Sequence, residues 1–142
     1  MKTEGTPAEL VIQVLPDSFT VCKVTDYAGI DIEQPFVFTG RTDEEKSLVC
    51  PTRLVPAETV SREDGWRAFR IVGVLDFSLV GILARIASLL AAEGIAIYAI
   101  STYNTDYVLT KEEVFGRAIE VLEAEGFVIE RAGDGSLRGP DD

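Results

Sequence analysis

The sequence predicts an α+β fold, because two stretches of helical apolar period in its second half each sit between short apolar runs of strand length. Residues 68–75 form the first such run, with Phe69, Ile71, Val72 and Val74. Asp76-Phe77-Ser78 then reads as a turn and helix entry. Over residues 79–93, apolar side chains recur at Leu79, Ile82, Leu83, Ile86, Leu89 and Leu90, a period of about 3.6. The alanines between them raise helix propensity, and Gly94 is placed to stop the helix at C′. Residues 95–102 read as a strand, Tyr103 to Asp106 as a polar hairpin turn, and Tyr107-Val108-Leu109 as the returning strand. Thr110 and Glu113 have the spacing of a capping box for a second helix with an apolar face of Val114, Phe115, Ala118, Ile119 and Leu122. Gly126 closes that helix, and Phe127-Val128-Ile129 reads as the last strand.

The resulting order is strand, helix, strand, strand, helix, strand, the ferredoxin-like βαββαβ plan. Two helices on one face of a sheet bury both apolar stripes. The other face then needs a cover, from the first half of the chain or from a second subunit.

The first half is less regular. Residues 10–15 read as a strand, Pro16-Asp17-Ser18 as a turn, and residues 19–24 as a second strand. Phe36-Val37-Phe38-Thr39 and Ser47-Leu48-Val49-Cys50 flank the acidic turn Asp43-Glu44-Glu45, a hairpin pattern. No helical stripe longer than two turns is visible. Residues 9–60 are therefore read as a mostly β unit, residues 56–66 as connector, and residues 61–131 as the regular unit. Residues 1–8 and 132–142 carry little to bury and are expected to be disordered.

Composition limits the chemistry. The formal net charge is −11, from 24 acidic and 13 basic residues. Such a field repels phosphate backbones and anionic membrane surfaces, so neither nucleic acid nor membrane is an expected partner. No run of about 20 apolar residues occurs, and the first residues have no apolar signal region. A cytoplasmic location is expected. Cys22 and Cys50 lie in apolar, strand-like surroundings and are read as buried small side chains rather than a metal or disulfide pair. Histidine is absent, which removes any histidine base or histidine metal site. No cofactor is expected.

Two segments resemble a known family. Leu75-Asp76-Phe77-Ser78-Leu79-Val80-Gly81-Ile82-Leu83-Ala84, followed by Ala99-Ile100-Ser101-Thr102-Tyr103-Asn104-Thr105-Asp106-Tyr107-Val108-Leu109, is similar to the ACT family. Within it, the pattern resembles small bacterial tandem-ACT proteins related to the CASTOR arginine sensors of animal cells. The strong match covers about residues 66–130, and a weaker one extends into residues 15–26 and 36–42. The resemblance implies tandem ACT units, the first degenerate and mostly β. It also implies no intrinsic catalysis, and an amino-acid effector bound at an interface between units. The animal sensors are longer and hold four such units, so a homodimer of this chain would restore that number. One departure is local: where the family commonly carries Pro-Gly before its first helix, Leu79-Val80-Gly81 stands here.

The implied site has two edges. Asp76, Phe77 and Ser78 lead into Leu79, Val80 and Gly81, where first-turn N–H groups and the helix dipole suit a ligand carboxylate. The plainer reading of that loop is helix capping by Ser78 or Asp76. On the other edge, Asp106 offers a carboxylate to an ammonium or guanidinium group, with Thr102 and Tyr103 lining the same cleft. The plainer reading of Asp106 is a turn residue bonding its own backbone. Tyr98 and Tyr107 are read as packing aromatics. Arginine as effector, and a regulated protein partner, come from the resemblance alone. A ligand-free dimerisation module is the competing class. An enzyme built on Asp76 and Asp106, with Lys111 nearby, lacks a nucleophile, a metal set and a phosphate cradle.

Overall fold

The computed structural model describes residues 10–73 and 81–131. Among these residues, seven strands and two α-helices appear in the order β1 (Leu10–Val24), β2 (Phe38–Arg41), β3 (Lys46–Pro51), β4 (Ser61–Gly73), α1 (Ile82–Ala92), β5 (Tyr98–Ser101), β6 (Asp106–Lys111), α2 (Glu112–Ala124) and β7 (Val128–Glu130). A short 3₁₀ turn, Thr52–Leu54, follows β3. The chain divides into two compact units, and both β1 and β4 run through the division. Among the described residues, one unit holds 10–16 and 67–131 and the other holds 17–66. No helix of the described residues is long and apolar enough to cross a membrane.

In the first unit the strand order is β7-β1-β4-β6-β5. Strand β1 lies between β7 and β4 and pairs with β7 in parallel, Ile12 opposite Ile129. Strands β5 and β6 form an antiparallel hairpin with Tyr98 opposite Leu109 and Ser101 opposite Asp106. Alternation along each strand sets the core. Leu10, Ile12 and Val14 of β1, Phe69 and Ile71 of β4 and Val108 of β6 share one sheet face. They pack against Ile86 and Leu90 of α1 and Phe115, Ala118, Ile119 and Leu122 of α2. Both helices thus cover one face, as the apolar stripes predict.

Each helix ends in the same way. The N–H of Gly94 donates to Ala91 O at 2.9 Å and that of Ile95 to Leu90 O at 2.9 Å. In α2 the N–H of Gly126 donates to Glu123 O and that of Phe127 to Leu122 O, both at 3.1 Å. These are Schellman turns, in which a left-handed glycine lets the next apolar residue fold back onto the helix. Gly94 and Gly126 take φ of 74° and 103°. Ile95 and Phe127 are buried in the core, so each turn also adds packing.

Several sequence expectations are corrected. The Pro16-Asp17-Ser18 turn does not form; β1 continues through it from Leu10 to Val24. Proline accepts extended backbone and loses only one ladder donor, so strand pairing on either side overrides its turn preference. The expected connector over residues 56–66 is shorter, because β4 begins at Ser61. Its polar start, Ser61-Arg62-Glu63-Asp64, has no strand pattern of its own; pairing with neighbours imposes the conformation. The capping box is absent. Pairing of β6 extends to Lys111, which becomes the N-cap of α2 with extended backbone and no side-chain cap bond. Thr110 is a buried strand residue whose hydroxyl donates to Lys111 O at 3.1 Å. Lys111 is thus the end of a strand and not part of the helix's first turn. Strand β5 starts at Tyr98 rather than Ile95, since Ile95 is committed to the turn after α1.

The second unit has the order β2-β3-β1-β4. The expected hairpin forms between β2 and β3, shifted slightly, with Phe38 opposite Val49 and Arg41 opposite Lys46. Cys22, Val24, Ile30, Leu48 and Cys50 form a small core of this unit. Both cysteines are free and buried, as the sequence suggested. Burial pushes the Cys50 thiol from about 9 up to about 11, helped by the neighbouring Cys22 and opposed by Arg62.

Two outcomes follow from this packing. Leu90→Ala should lower stability by about 2–5 kcal/mol, read as a shift of the urea midpoint; a loss under about 1 kcal/mol would remove Leu90 from the core. Cys50 holds its proton more tightly when folded than when unfolded. Its contribution to stability is therefore full below about pH 9 and declines as pH rises towards 11. Thermal unfolding should show a shallower alkaline decline in Cys50→Ala than in the parent protein, and identical slopes would exclude the thiol as its source.

Candidate functional site

The first edge of the expected site lies mostly outside the described residues, since Asp76, Phe77, Ser78, Leu79 and Val80 are all outside them. Gly81 is described. It is the N-cap of α1, with φ 95° and ψ 0°, a conformation in the region that favours glycine. Its carbonyl accepts the Arg85 N–H at 2.8 Å. Glycine has no side chain with which to cap the helix, and the expected capping by Ser78 or Asp76 lies outside the described residues. Among the described residues, no atom lies within 4 Å of where a Cβ on Gly81 would stand. No acidic residue occupies the first turn of α1, so the dipole there is not offset by a carboxylate on the helix itself.

The second edge is the β5–β6 hairpin, and its closure is built by threonines. The Thr102 N–H donates to Thr105 O at 2.9 Å. The Thr102 hydroxyl donates to the same carbonyl at 2.8 Å. The Thr105 hydroxyl donates to Ile71 O of β4 at 2.7 Å, tying the turn to the sheet. Tyr103 sits at the tip, fully exposed. Asp106 is already in β6, paired with Ser101, and is half-buried. Its carboxylate makes no hydrogen bond or ion pair among the described residues. The turn-residue reading of Asp106 therefore fails: Thr102 closes the turn, and the carboxylate is left available. Asp106 shares its sheet face with Val108, two residues on, which packs under the helices.

The opposite face of the same sheet carries a polar chain. Glu130 of β7 accepts from the Gln13 side-chain amide at 3.2 Å. The Gln13 side-chain oxygen accepts from Arg70 Nε at 2.8 Å. Arg70 Nη1 donates to the Tyr107 hydroxyl at 3.1 Å, and the guanidinium lies 5.9 Å from the centre of that ring. Gln13 is fully buried, and a buried amide requires such partners. The chain crosses β7, β1, β4 and β6. The sequence held a signal for it: Gln13 and Arg70 are the lone polar residues in the apolar runs 10–15 and 68–75. Tyr107 is more than a packing aromatic, because its hydroxyl is an acceptor in this chain.

Other features offer less chemistry. In the second unit, an open cleft of about 360 Å³ is lined by Lys23, Lys46, Asp43, Glu44, Glu45 and neighbours, charged groups of both signs. Asp64 of the same unit accepts the buried Thr20 hydroxyl at 2.6 Å and pairs with Arg62 at 2.9 Å. No group of three or more Cys, Asp or Glu that could hold a metal ion is present among the described residues.

Two helices layered on one face of a sheet, with elements in βαββαβ order from β4 to β7, define a ferredoxin-like α+β domain. More narrowly, residues 61–124, from β4 through α2, match the family model of the ACT domain. Over 66 residues the chain is 47% identical to the Cytosolic arginine sensor for mTORC1 subunit 1 of Homo sapiens, and equally to that of Bos taurus. That alignment covers 46% of this chain and 20% of the relative, so the chain corresponds to a fifth of the curated relatives' length. Among solved structures, a protein of Agobacterium tumefaciens superposes with a TM-score of 0.79 at 25% identity, covering 89% of this chain and 95% of that one. The regulatory subunit of aspartate kinase from Thermus thermophilus superposes at 0.57 with 13% identity, covering 83% and 98%, a likeness of fold alone.

The exposed hairpin tip gives a direct check. Tyr103→Ser should leave stability within about 0.5 kcal/mol, as expected for a surface side chain that buries nothing. A larger loss in chemical denaturation would mean that the ring packs against another molecule in solution.

Proposed function

We propose that this chain is a regulatory amino-acid-binding protein whose effector sits at an interface between ACT units, and that it catalyses nothing. The observation that carries the reading is the Asp106 carboxylate, half-buried on a closed hairpin and relieved of turn duty by Thr102. A carboxylate in that state suits an ammonium or guanidinium group. The start of α1 at Gly81, which has no side-chain cap among the described residues, suits the carboxylate at the other end of an amino acid. Asp76, Phe77, Ser78, Leu79 and Val80 complete that edge in this proposal, and Thr102 and Tyr103 the other. The 47% identity over 66 residues to an arginine sensor supports arginine as the first effector to try. The cytosolic location in that relative's name is carried over as part of the proposal.

An interface location is supported by exposure. Thr102 and Tyr103 stand open to solvent, so a cleft around them needs a wall from elsewhere. The tandem reading, a degenerate mostly β unit ahead of a regular one, and a homodimer that supplies the further units belong to the same proposal. Strand β5 ends the sheet order, and an end strand is a template for pairing. The effector then acts on a protein partner through its differential affinity for two arrangements of the units. The fully exposed Tyr103 also favours a second reading, a dimerisation or docking module that needs no ligand.

Thermal unfolding against each of the twenty amino acids separates the two. A ligand at about 100 times its dissociation constant stabilises the native state by about 2.7 kcal/mol, which moves the midpoint by several degrees. We expect a shift with arginine or a chemically similar amino acid, and its loss in Asp106→Ala. No shift with any amino acid sinks the sensor reading and leaves the docking module. An equal shift in Asp106→Ala removes this residue from the site.

A further inference from the structure

We propose that Arg70 and Thr105 are positioning residues that hold Asp106 in place before any ligand arrives, an inference that rests on the reading of Asp106 as a ligand-binding group. The two residues that flank Asp106 are each fastened to β4, on the two sides of one peptide segment. Before it, the Thr105 hydroxyl donates to Ile71 O at 2.7 Å. After it, the Tyr107 hydroxyl accepts from Arg70 at 3.1 Å. Arg70 and Ile71 are neighbours on β4, so a single dipeptide of the sheet fixes both sides of Asp106. Asp106 is itself paired with Ser101 across the hairpin. Its Cα–Cβ direction is thus set by three contacts, none of which uses its carboxylate.

Arg70 is in turn fixed by Gln13, which is fully buried and bonded to Glu130 of β7. The start of β6 is thereby referred to the strand that follows α2, three strand spacings across the sheet. The face on which each bond falls matters. Side chains alternate along β6, so Tyr107 points away from the face that carries Asp106. The Arg70 anchor therefore holds the strand from behind and leaves the ligand face clear. An acidic group held ready in this way binds a cation without the cost of ordering a loop, which is how preorganisation raises affinity.

The test uses the whole chain and two conservative variants. Thr105→Val keeps side-chain shape and removes one anchor; Tyr107→Phe keeps the ring and removes the other. Hydrogen exchange of the ligand-free protein comes first. We expect peptides spanning residues 102–109 to exchange several-fold faster in each variant, with α1 and α2 peptides unchanged. Unchanged exchange in the hairpin of both variants overturns the proposal, whatever the protein binds. Calorimetric titration with L-arginine comes second. Each variant should weaken binding about three- to tenfold, the weight of one such hydrogen bond, and should have no further effect in an Asp106→Asn background. Equal losses with and without the Asp106 carboxylate would assign Thr105 and Tyr107 a general structural role and overturn the positioning claim. Arg70→Lys, which keeps the charge and loses the fork that reaches both Gln13 and Tyr107, should behave as Tyr107→Phe does. If the parent protein binds no amino acid, the sensor reading falls, and hydrogen exchange alone decides whether the anchors hold the hairpin.

Discussion

Burial of one sheet face under α1 and α2 is the constraint on which the rest of the first unit depends. Leu10, Ile12, Val14, Phe69, Ile71 and Val108 come from three strands of widely separated sequence, and all must point the same way for the helices to cover them. That requirement fixes the register of every strand, because a slip of one residue would turn its apolar set to the other face. Once register is fixed, the opposite face is fixed too. Gln13, Arg70, Tyr107 and Glu130 fall there in line, and their mutual hydrogen bonds satisfy a buried amide and a part-buried guanidinium. The polar chain is thus a consequence of the apolar core and also reinforces its register.

The helix ends transmit the same constraint to the connections. Two Schellman turns reverse the chain after α1 and α2 and commit Ile95 and Phe127 to the core. Outside them, Arg85 stacks on the Phe127 ring at 5.4 Å and pairs with Glu125 at 3.5 Å, joining α1 to the turn that ends α2. Arg117 donates to the Glu93 carbonyl, joining α2 to the turn that ends α1. An exposed ion pair contributes little alone; here it accompanies a ring contact and a backbone bond in one reciprocal arrangement. On the β5–β6 hairpin, the Tyr103 side chain and the Asp106 carboxylate have no bonding partner among the described residues. These are the groups proposed to meet a ligand, carried on a hairpin that is tied to the sheet by Thr105.

Much of this unit was legible in the sequence because its information is local. The apolar periods of α1 and α2, the glycines that end them and the polar turn at Tyr103 each lie within a few residues of the structure they determine. The misreadings arose where a neighbouring strand decides. Pro16-Asp17-Ser18 carries turn chemistry and Ser61-Arg62-Glu63-Asp64 carries loop chemistry, yet both are strand. Thr110 and Glu113 have capping-box spacing, yet pairing of β6 runs one residue too far for the box to close. The candidate site was legible in the same proportion. The motif around Asp106 marked the hairpin, but not which residue would close its turn.

The sequence by itself determined the helices, their stops, the hairpin and the absence of histidine chemistry, because periodicity, backbone conformational preference and composition act over short range. Only the tertiary structure decided that β1 enters between β7 and β4, that Gln13 and Arg70 join Glu130 to Tyr107, and that Thr105 and Tyr107 anchor either side of Asp106. Strand order and register are settled by pairing between distant segments, whose gain comes from a shared buried face and cannot be assigned to any one stretch of chain.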